Sequence, residues 1–147
     1  MSTRPPRRPE IGPPLFVYGT LLCPEVWSLV VGAPVARRVA WLHDHRRGPI
    51  AREVFPGVVP DPGALVDGAL VDEPAPAARA RLDAYEGPLY NRDTVRVQLA
   101  DGRLVVAETY LIAAPHRHLV GPGEWSLAAF REGPLAAFVA ALRDELT

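Results

Sequence analysis

The sequence predicts an α+β fold, in which a small mixed or antiparallel β-sheet, able to curl into a barrel, packs against helices. The chain has 147 residues, close to the commonest size of a single domain. Its clearest pattern is a hairpin, because residues 94–99 alternate polar and apolar and residues 104–112 return as a strand. Asp101-Gly102 between them is typical of a hairpin turn. The predicted elements run strands, helix, hairpin, helix with short connections.

The N-terminal region contains the first predicted strand and helix. Residues 1–14 carry five prolines without an apolar pattern, so we expect a flexible tail there and one domain over residues 15–147. The apolar run 15–18 predicts a buried strand. A short helix is expected over 24–31, since Pro24 suits a first helical turn and a glycine follows its end.

The middle of the chain predicts two further strands and a loop. Residues 35–41 are expected to form a strand that ends before the polar stretch 43–47. Residues 56–63 are rich in proline and glycine and predict a loop. Residues 64–72 predict a strand, and Gly68 inside it indicates a bulge or a close backbone approach.

Two longer helices complete the prediction. One is expected over residues 76–85, with Pro76 near its start and Gly87 just past its end. The other closes the chain over residues 134–146 as an amphipathic helix. Its expected core face consists of Leu135, Phe138, Val139 and Leu142.

Composition excludes several classes of function. Sixteen basic residues face seventeen acidic ones without a basic stripe, so no nucleic acid is expected as a partner. No apolar run approaches the roughly 20 residues that span a bilayer, and the N-terminus lacks a signal-like apolar core. We therefore expect a cytoplasmic protein without a membrane partner.

The types of basic residue and the cysteine content narrow the chemistry further. Every basic residue is an arginine, and the absence of lysine excludes Schiff bases, pyridoxal phosphate and a P-loop. Cys23 is the only cysteine, which excludes an internal disulfide and a cysteine-based metal cage. Neither a G-x-S-x-G elbow nor a G-x-G-x-x-G loop is present.

The first candidate site is the strand-to-helix junction Tyr18-Gly19-Thr20-Leu21. A glycine directly after a buried strand lets a ligand approach the backbone closely. Free N–H groups near a helix start suit an anion such as an α-carboxylate. The alternative interpretation is a tight turn with a core tyrosine.

The second candidate is Glu86, at the end of a predicted helix just before Gly87. A carboxylate there lies at the negative pole of the helix dipole. That position, with Tyr85 and Tyr90 nearby, is expected to raise its pKa, which suits a general acid/base. The alternative is a solvated glutamate at a helix terminus.

The histidine segments and the cysteine are further candidate sites. His43-Asp44-His45 and His116-Arg117-His118 could each place two imidazoles on one face of a strand. No further ligand pattern supports zinc there, so we interpret them as surface segments and expect no metal. Cys23 near a helix start could be a reactive thiolate, but no group that would orient it is identifiable.

The first two candidates meet in a family resemblance. The segments LFVYGTL, VDGALV, LDAYEGPLYNRDTVRV and VVAETYL, in this order, resemble the γ-glutamylcyclotransferase-like (AIG2-like) family. The likeness covers about residues 15–130, and residues 124–127 (EWSL) resemble the family's C-terminal tryptophan segment. The resemblance implies a small β-barrel flanked by helices.

The resemblance also implies a reaction and its residues. Tyr18-Gly19-Thr20-Leu21 would bind the glutamyl part of a substrate through backbone groups, and Glu86 would be the catalytic acid/base. Tyr90 and Tyr110 match family positions beside the pocket. The implied reaction is attack of the substrate's α-amino group on its own γ-carbonyl, which releases 5-oxoproline and an amine or amino acid. It needs no cofactor, and we expect a small-molecule γ-glutamyl substrate and a monomer or homodimer.

Two alternatives stay open at this point. The chain could be a non-catalytic member that binds a γ-glutamyl metabolite, because a fold does not guarantee its chemistry. It could also act on a γ-glutamyl group of a protein or a biosynthetic intermediate. Arg46, Arg47 or Arg52 could then bind an acidic leaving group, although each also fits a solvated surface charge.

Overall fold

The computed structural model describes residues 13–72 and 74–147, in which five strands close into a barrel in the order β1-β3-β2-β4-β5. The strands are β1 (Leu15–Val17), β2 (Arg37–Pro49), β3 (Pro56–Val71), β4 (Tyr90–Leu99) and β5 (Leu104–Ile112). Paired strands are antiparallel except β1 and β5, which pair in parallel at Leu15 and Glu108 and so close the barrel. The predicted α+β fold with a mixed barrel is confirmed.

Four α-helices lie outside the barrel. They are α1 (Pro24–Val30), α2 (Pro76–Glu86), α3 (Leu127–Glu132) and α4 (Leu135–Glu145). Short 3₁₀ helices cover Thr20–Leu22 and Ala114–Leu119. Among the residues that the structure describes, no helix is long and apolar enough to cross a membrane.

Side chains of β1 alternate between two apolar clusters. Phe16 packs in the barrel interior, in a cluster to which all five strands contribute. Its neighbours Leu15 and Val17 point the other way, into the cluster between the barrel and the helices. This alternation follows from the period of two in a strand, and it leaves β1 buried on both faces.

The predicted break between strands in the middle of the chain is wrong. β2 continues from Arg37 through the polar stretch 43–47, and residues 56–63, expected as a loop, are the first half of β3. The prolines are tolerated there because this half of β3 pairs with β2 alone, while β1 pairs only with residues 69–71. The register of pairing between β2 and β3 shifts between His43, which pairs with Leu65, and His45, which pairs with Pro60.

Most other predicted elements are confirmed. The first strand, the hairpin strands and the helices over 24–31, 76–85 and 134–146 match to within a few residues at their ends. α3 was missed, although Ser126 caps it by accepting a hydrogen bond from the Ala129 N–H at 3.1 Å. The 3₁₀ helix Ala114–Leu119 was also missed.

Gly68 confirms the predicted close backbone approach. A Cβ atom at this position would lie 2.3 Å from the carbonyl oxygen of Val17, so only glycine lets β1 and β3 approach here. Of the expected tail, residues 1–12 lie outside the described residues. Pro14, at its end, accepts a hydrogen bond from the Glu108 N–H at 2.9 Å.

Candidate active site

The junction that follows β1 forms the floor of a cavity. Tyr18, Gly19, Thr20 and Leu21 are all buried and all line this cavity. The 3₁₀ turn begins at Thr20, and the N–H groups of Gly19, Thr20 and Leu21 donate to no backbone group in residues 13–72 and 74–147. Three main-chain donors therefore have no backbone partner and are available to a ligand.

Gly19 is required by its neighbour across the cavity. A Cβ atom on Gly19 would lie 2.9 Å from Cγ of Pro56, which also lines the cavity. The φ of Gly19, −131°, is not in the left-handed region. Steric fit against Pro56, rather than a left-handed backbone, selects glycine here.

Arg47 stabilises the cavity floor formed by residues 18–21. Its guanidinium donates to the carbonyl oxygen of Tyr18 at 2.7 Å and is fixed by the backbone and carboxylate oxygens of Asp67 at 2.9 and 2.7 Å. A trans peptide points its C=O and N–H in opposite directions. Since Arg47 fixes the Tyr18 carbonyl, it also fixes the direction of the Gly19 N–H.

Glu86 is the last residue of α2 and lines the same cavity. Gly87 ends the helix with a φ of 76°, a conformation that favours glycine. The Glu86 carboxylate has no hydrogen bond or ion pair with the residues that the structure describes. Burial, and secondarily the charge of Asp83, raise the pKa of Glu86 to about 8.

The expected direction of this pKa shift is therefore supported, but its cause differs. Burial against the cavity walls, not the helix terminus or the tyrosines, is the largest contribution. Glu86 in turn affects the pKa values of its neighbours. Its negative charge helps to raise the pKa of all four tyrosines, which places them around its carboxylate.

All four tyrosines of the chain line the cavity. Tyr18 donates to the carbonyl oxygen of Tyr110 at 2.5 Å, and Tyr90 donates to that of Pro56 at 2.7 Å. Tyr110 donates to the carboxylate of Asp83 at 2.6 Å. Burial raises the pKa of each tyrosine, so all stay neutral near pH 7 and act as walls and braces rather than as bases.

Thr20 and Tyr85 tie the two predicted segments together. Thr20 Oγ1 and Tyr85 Oη lie 2.5 Å apart, across 65 positions of sequence. Because Tyr85 directly precedes Glu86, this hydrogen bond fixes the end of α2 against the floor. The sequence-predicted loop and carboxylate therefore meet at one cavity.

The cavity has a volume of about 210 Å³. This is below the roughly 300–1,000 Å³ of pockets that hold drug-sized ligands, and it suits a small substrate. Phe55 completes the wall beside Pro56, and α4 supplies the wall near its own C-terminal end.

The sequence has counterparts among known proteins. The sequence model of the γ-glutamyl cyclotransferase, AIG2-like family matches residues 15–127. The chain belongs to this family.

Relatives of the γ-glutamyl cyclotransferase, AIG2-like family match nearly the whole chain. AIG2-like protein C of Arabidopsis thaliana is 29% identical over 136 residues, which are 90% of this chain and 77% of that protein. An Arabidopsis thaliana protein solved in solution is 27% identical with a TM-score of 0.65, over 90% of this chain and 81% of that one. A yeast γ-glutamyl cyclotransferase specific to glutathione shares the fold, with a TM-score of 0.63 and 15% identity over 93% of this chain and 96% of that one.

The other candidate groups of the sequence lie away from the cavity of this family member. His43 is exposed and pairs with Gln98, while His116 and His118 sit on a 3₁₀ helix rather than a strand. No cluster of three potential metal ligands occurs in the described part of the chain. Cys23 is fully buried, and burial raises the pKa of its thiol, which argues against a reactive thiolate.

The arginines considered for a leaving group are also placed elsewhere. Arg46 donates to the carbonyl oxygen of Gly121 at 2.8 Å, and Arg47 is committed to the floor. Arg52 is exposed, and none of the three lines the cavity.

Sequence reasoning missed part of the site. The sequence indicates Tyr85 only as a neighbour of Glu86, because no local pattern predicts its hydrogen bond with Thr20. Pro56 falls in the predicted loop over residues 56–63, Phe55 is not among the predicted site residues, and the closeness of Pro56 to Gly19 joins parts of the chain that are distant in sequence. α4 was predicted as a core helix, and its apolar period was the available signal for its wall of the cavity.

Proposed function

We propose that this chain is a γ-glutamylcyclotransferase that cleaves a γ-glutamyl amide in the cavity and releases 5-oxoproline and an amine. One observation carries the proposal: Glu86, without a partner in the described residues, shares a small cavity with the free N–H groups that follow Tyr18. The Glu86 carboxylate can pair with the α-ammonium group of an α-amino acid, and the N–H donors can bind its α-carboxylate.

The substrate's α-carboxylate binds at the floor in this proposal. The N–H groups of Gly19, Thr20 and Leu21 are the donors available there. Arg47, whose charge is paired with Asp67, contributes by fixing the direction of the Gly19 N–H. Similar donors could stabilise the oxyanion that develops on the γ-carbonyl.

Glu86 carries the protons. As a carboxylate it takes a proton from the α-ammonium, and the freed amine attacks the γ-carbonyl carbon to close a five-membered ring. The bond between that carbon and the leaving nitrogen then breaks. Of the three ammonium protons, one stays on the lactam nitrogen and two pass to the leaving nitrogen, which departs as an ammonium. Glu86 ends as a carboxylate, and neither water nor a cofactor is consumed.

The pKa of Glu86 suits this exchange. The pKa of about 8 for Glu86 lies much closer to that of an amine than the ordinary value of 4.5 does. A smaller difference in pKa lowers the free-energy cost of moving a proton from the α-ammonium to Glu86. The same residue can therefore remove the first proton and later deliver it.

The reaction needs no nucleophile from the protein. The substrate supplies its own amine, and intramolecular attack in a suitable conformer reaches effective molarities of about 10⁵–10⁸ M. The enzyme's task is to fold the substrate into that conformer. Tyr90 and Tyr110, whose hydroxyls are committed to Pro56 and Asp83, are rigid walls that do this.

Release of 5-oxoproline by the purified protein from a panel of γ-glutamyl amines and amino acids tests the proposal. Turnover of any of them supports it. Tight binding of a γ-glutamyl compound in calorimetry, with no 5-oxoproline from the whole panel, would instead identify a metabolite-binding member of the family.

A further inference from the structure

Helix α4 presents one face to the cavity. Its cavity-lining residues are spaced at i, i+3, i+4 and i+7 and therefore lie along one stripe of the helix. They are Phe138, Ala141, Leu142 and Glu145. The family match ends at residue 127, before this helix begins, so the wall lies outside the segment shared with the family model.

The stripe forms the outer part of the cavity. Tyr18 to Leu21 are buried at the floor, whereas Ala141 and Glu145 are exposed. If the proposed function holds, the α-amino and α-carboxylate groups lie at the floor beside Glu86. The leaving group then extends past Phe138 and Ala141 toward Glu145.

The outer part of the cavity carries negative charge. α2 and α4 both end at the cavity, each on a glutamate as its last residue, Glu86 and Glu145. The carboxyl ends of the two helices add partial negative charge at the same place. No cationic side chain lines the cavity within the described ranges, and Glu145 has no ion pair there. A carboxylate on the leaving group would be repelled.

We infer that α4 selects the leaving group, and that it favours an alkyl amine with a positive charge at its far end over an acidic amino acid or peptide. Phe138 and Ala141 contact the alkyl stem. Glu145 is the specificity-determining residue, because it meets the distal charge at the mouth. This inference rests on the proposed function. It replaces the expectation that Arg46, Arg47 or Arg52 receives an acidic leaving group.

Three substrates with the same four-carbon stem test it. They are the γ-glutamyl amides of 1,4-diaminobutane, n-butylamine and 4-aminobutanoate, which end in a cation, a methyl group and an anion. We expect kcat/KM for 5-oxoproline release to fall in that order. An exposed charge pair is worth up to about 1 kcal/mol, so each step is expected to be up to about fivefold at low salt. The preference should shrink at 1 M salt, where the Debye length is about 3 Å.

Variants at the mouth assign the preference to one residue. Glu145→Gln should lower the ratio of kcat/KM for the cationic over the anionic substrate by up to about 25-fold, the product of the two steps, and Glu145→Arg should invert it. Asp144→Asn removes the same charge from the neighbouring position, which does not line the cavity, and should leave the ratio unchanged. Glu145 is exposed at a helix end, so these variants should fold.

The outcomes separate the two proposals. Release of 5-oxoproline from all three substrates with equal kcat/KM, or a preference that Glu145→Gln and Asp144→Asn change alike, overturns the inference about α4 and leaves cyclotransfer standing. Absence of 5-oxoproline from all three, with release from a γ-glutamyl amino acid, overturns only the inference. Absence from these three and from the whole panel of γ-glutamyl amines and amino acids overturns the proposed function and the inference with it.

Discussion

Thr20 Oγ1 lies 2.5 Å from the hydroxyl oxygen of Tyr85, so a residue of the cavity floor is bonded to the residue beside Glu86. The two side chains are 65 positions apart in sequence, one just after β1 and the other near the end of α2. Burial raises the pKa of Tyr85, which keeps its hydroxyl protonated. This bond sets the position of the carboxylate relative to the main-chain donors.

A double-mutant cycle measures that bond. Thr20→Val and Tyr85→Phe each remove one hydroxyl while keeping the shape of the side chain. We expect a coupling free energy of about 0.5–1.5 kcal/mol between them in urea unfolding, as for a typical hydrogen bond within a protein. Strictly additive losses would show that the two hydroxyls do not interact.

Gly19→Ala should damage the floor. The added Cβ would lie 2.9 Å from Pro56, so the loop or the proline must shift. A displacement of the donors by even a fraction of an ångström should lower kcat/KM for 5-oxoproline release by at least about tenfold, since catalysis depends on orientation. Gly121→Ala is the matched control, because the nearest atom to its Cβ is 3.7 Å away. Equal activity of the two variants would contradict the steric account.

Arg47→Met should weaken both stability and activity. It leaves the Tyr18 carbonyl without the guanidinium that it accepts from at 2.7 Å, and an unpaired buried group costs about 1–3 kcal/mol. The Gly19 N–H also loses its fixed direction, so KM should rise. Arg103→Met removes an exposed arginine that pairs with Asp101 and should cost less than about 1 kcal/mol. Urea unfolding of both variants makes the comparison, and a loss at Arg47 no larger than at Arg103 would refute the bracing role.

The raised pKa of Glu86 predicts how stability changes with pH. Its pKa is about 8 in the folded protein against 4.5 as the ordinary value, so between these values the folded state holds a proton that the unfolded state has lost. Stability therefore falls as pH rises through this window, and the loss is complete above about pH 8. Glu86→Gln removes this dependence.

The measurement is the melting temperature of both proteins between pH 5 and pH 9. Glu86→Gln should gain on the wild type as pH rises, by about 3 °C for each ~1 kcal/mol in a domain of this length. A constant difference across the range would mean that the Glu86 carboxyl titrates at its ordinary pKa. Glu132→Gln, at the exposed end of α3 and outside the cavity, is the control for the substitution itself.

The sequence located the two halves of the site because each carries a local signal. Gly19 interrupts a buried apolar strand, and Gly87 marks the end of the helix that places Glu86. Such signals depend on neighbours in the chain. They predicted the hairpin and the terminal helix for the same reason, since hydrophobic period and turn residues act locally.

The missing parts depend on partners that are distant in sequence. The prolines of residues 56–63 indicate a loop when taken alone, and only the unpaired edge of β3 explains why they fit a strand. The apolar stripe of α4 predicted a core helix. The stripe indicated a buried face, but not that Phe138 also borders a cavity, because that depends on how the helix docks. The cytoplasmic location and the oligomeric state remain predictions.

The most direct test of the central claim is 5-oxoproline release by Glu86→Gln. The amide fits the same space but cannot accept the ammonium proton, so kcat/KM should fall by about 10²–10⁴, the contribution of general acid–base catalysis. Glu132→Gln makes the same change at the end of α3, outside the cavity, and should keep wild-type activity. Undiminished turnover by a folded Glu86→Gln protein would contradict the account.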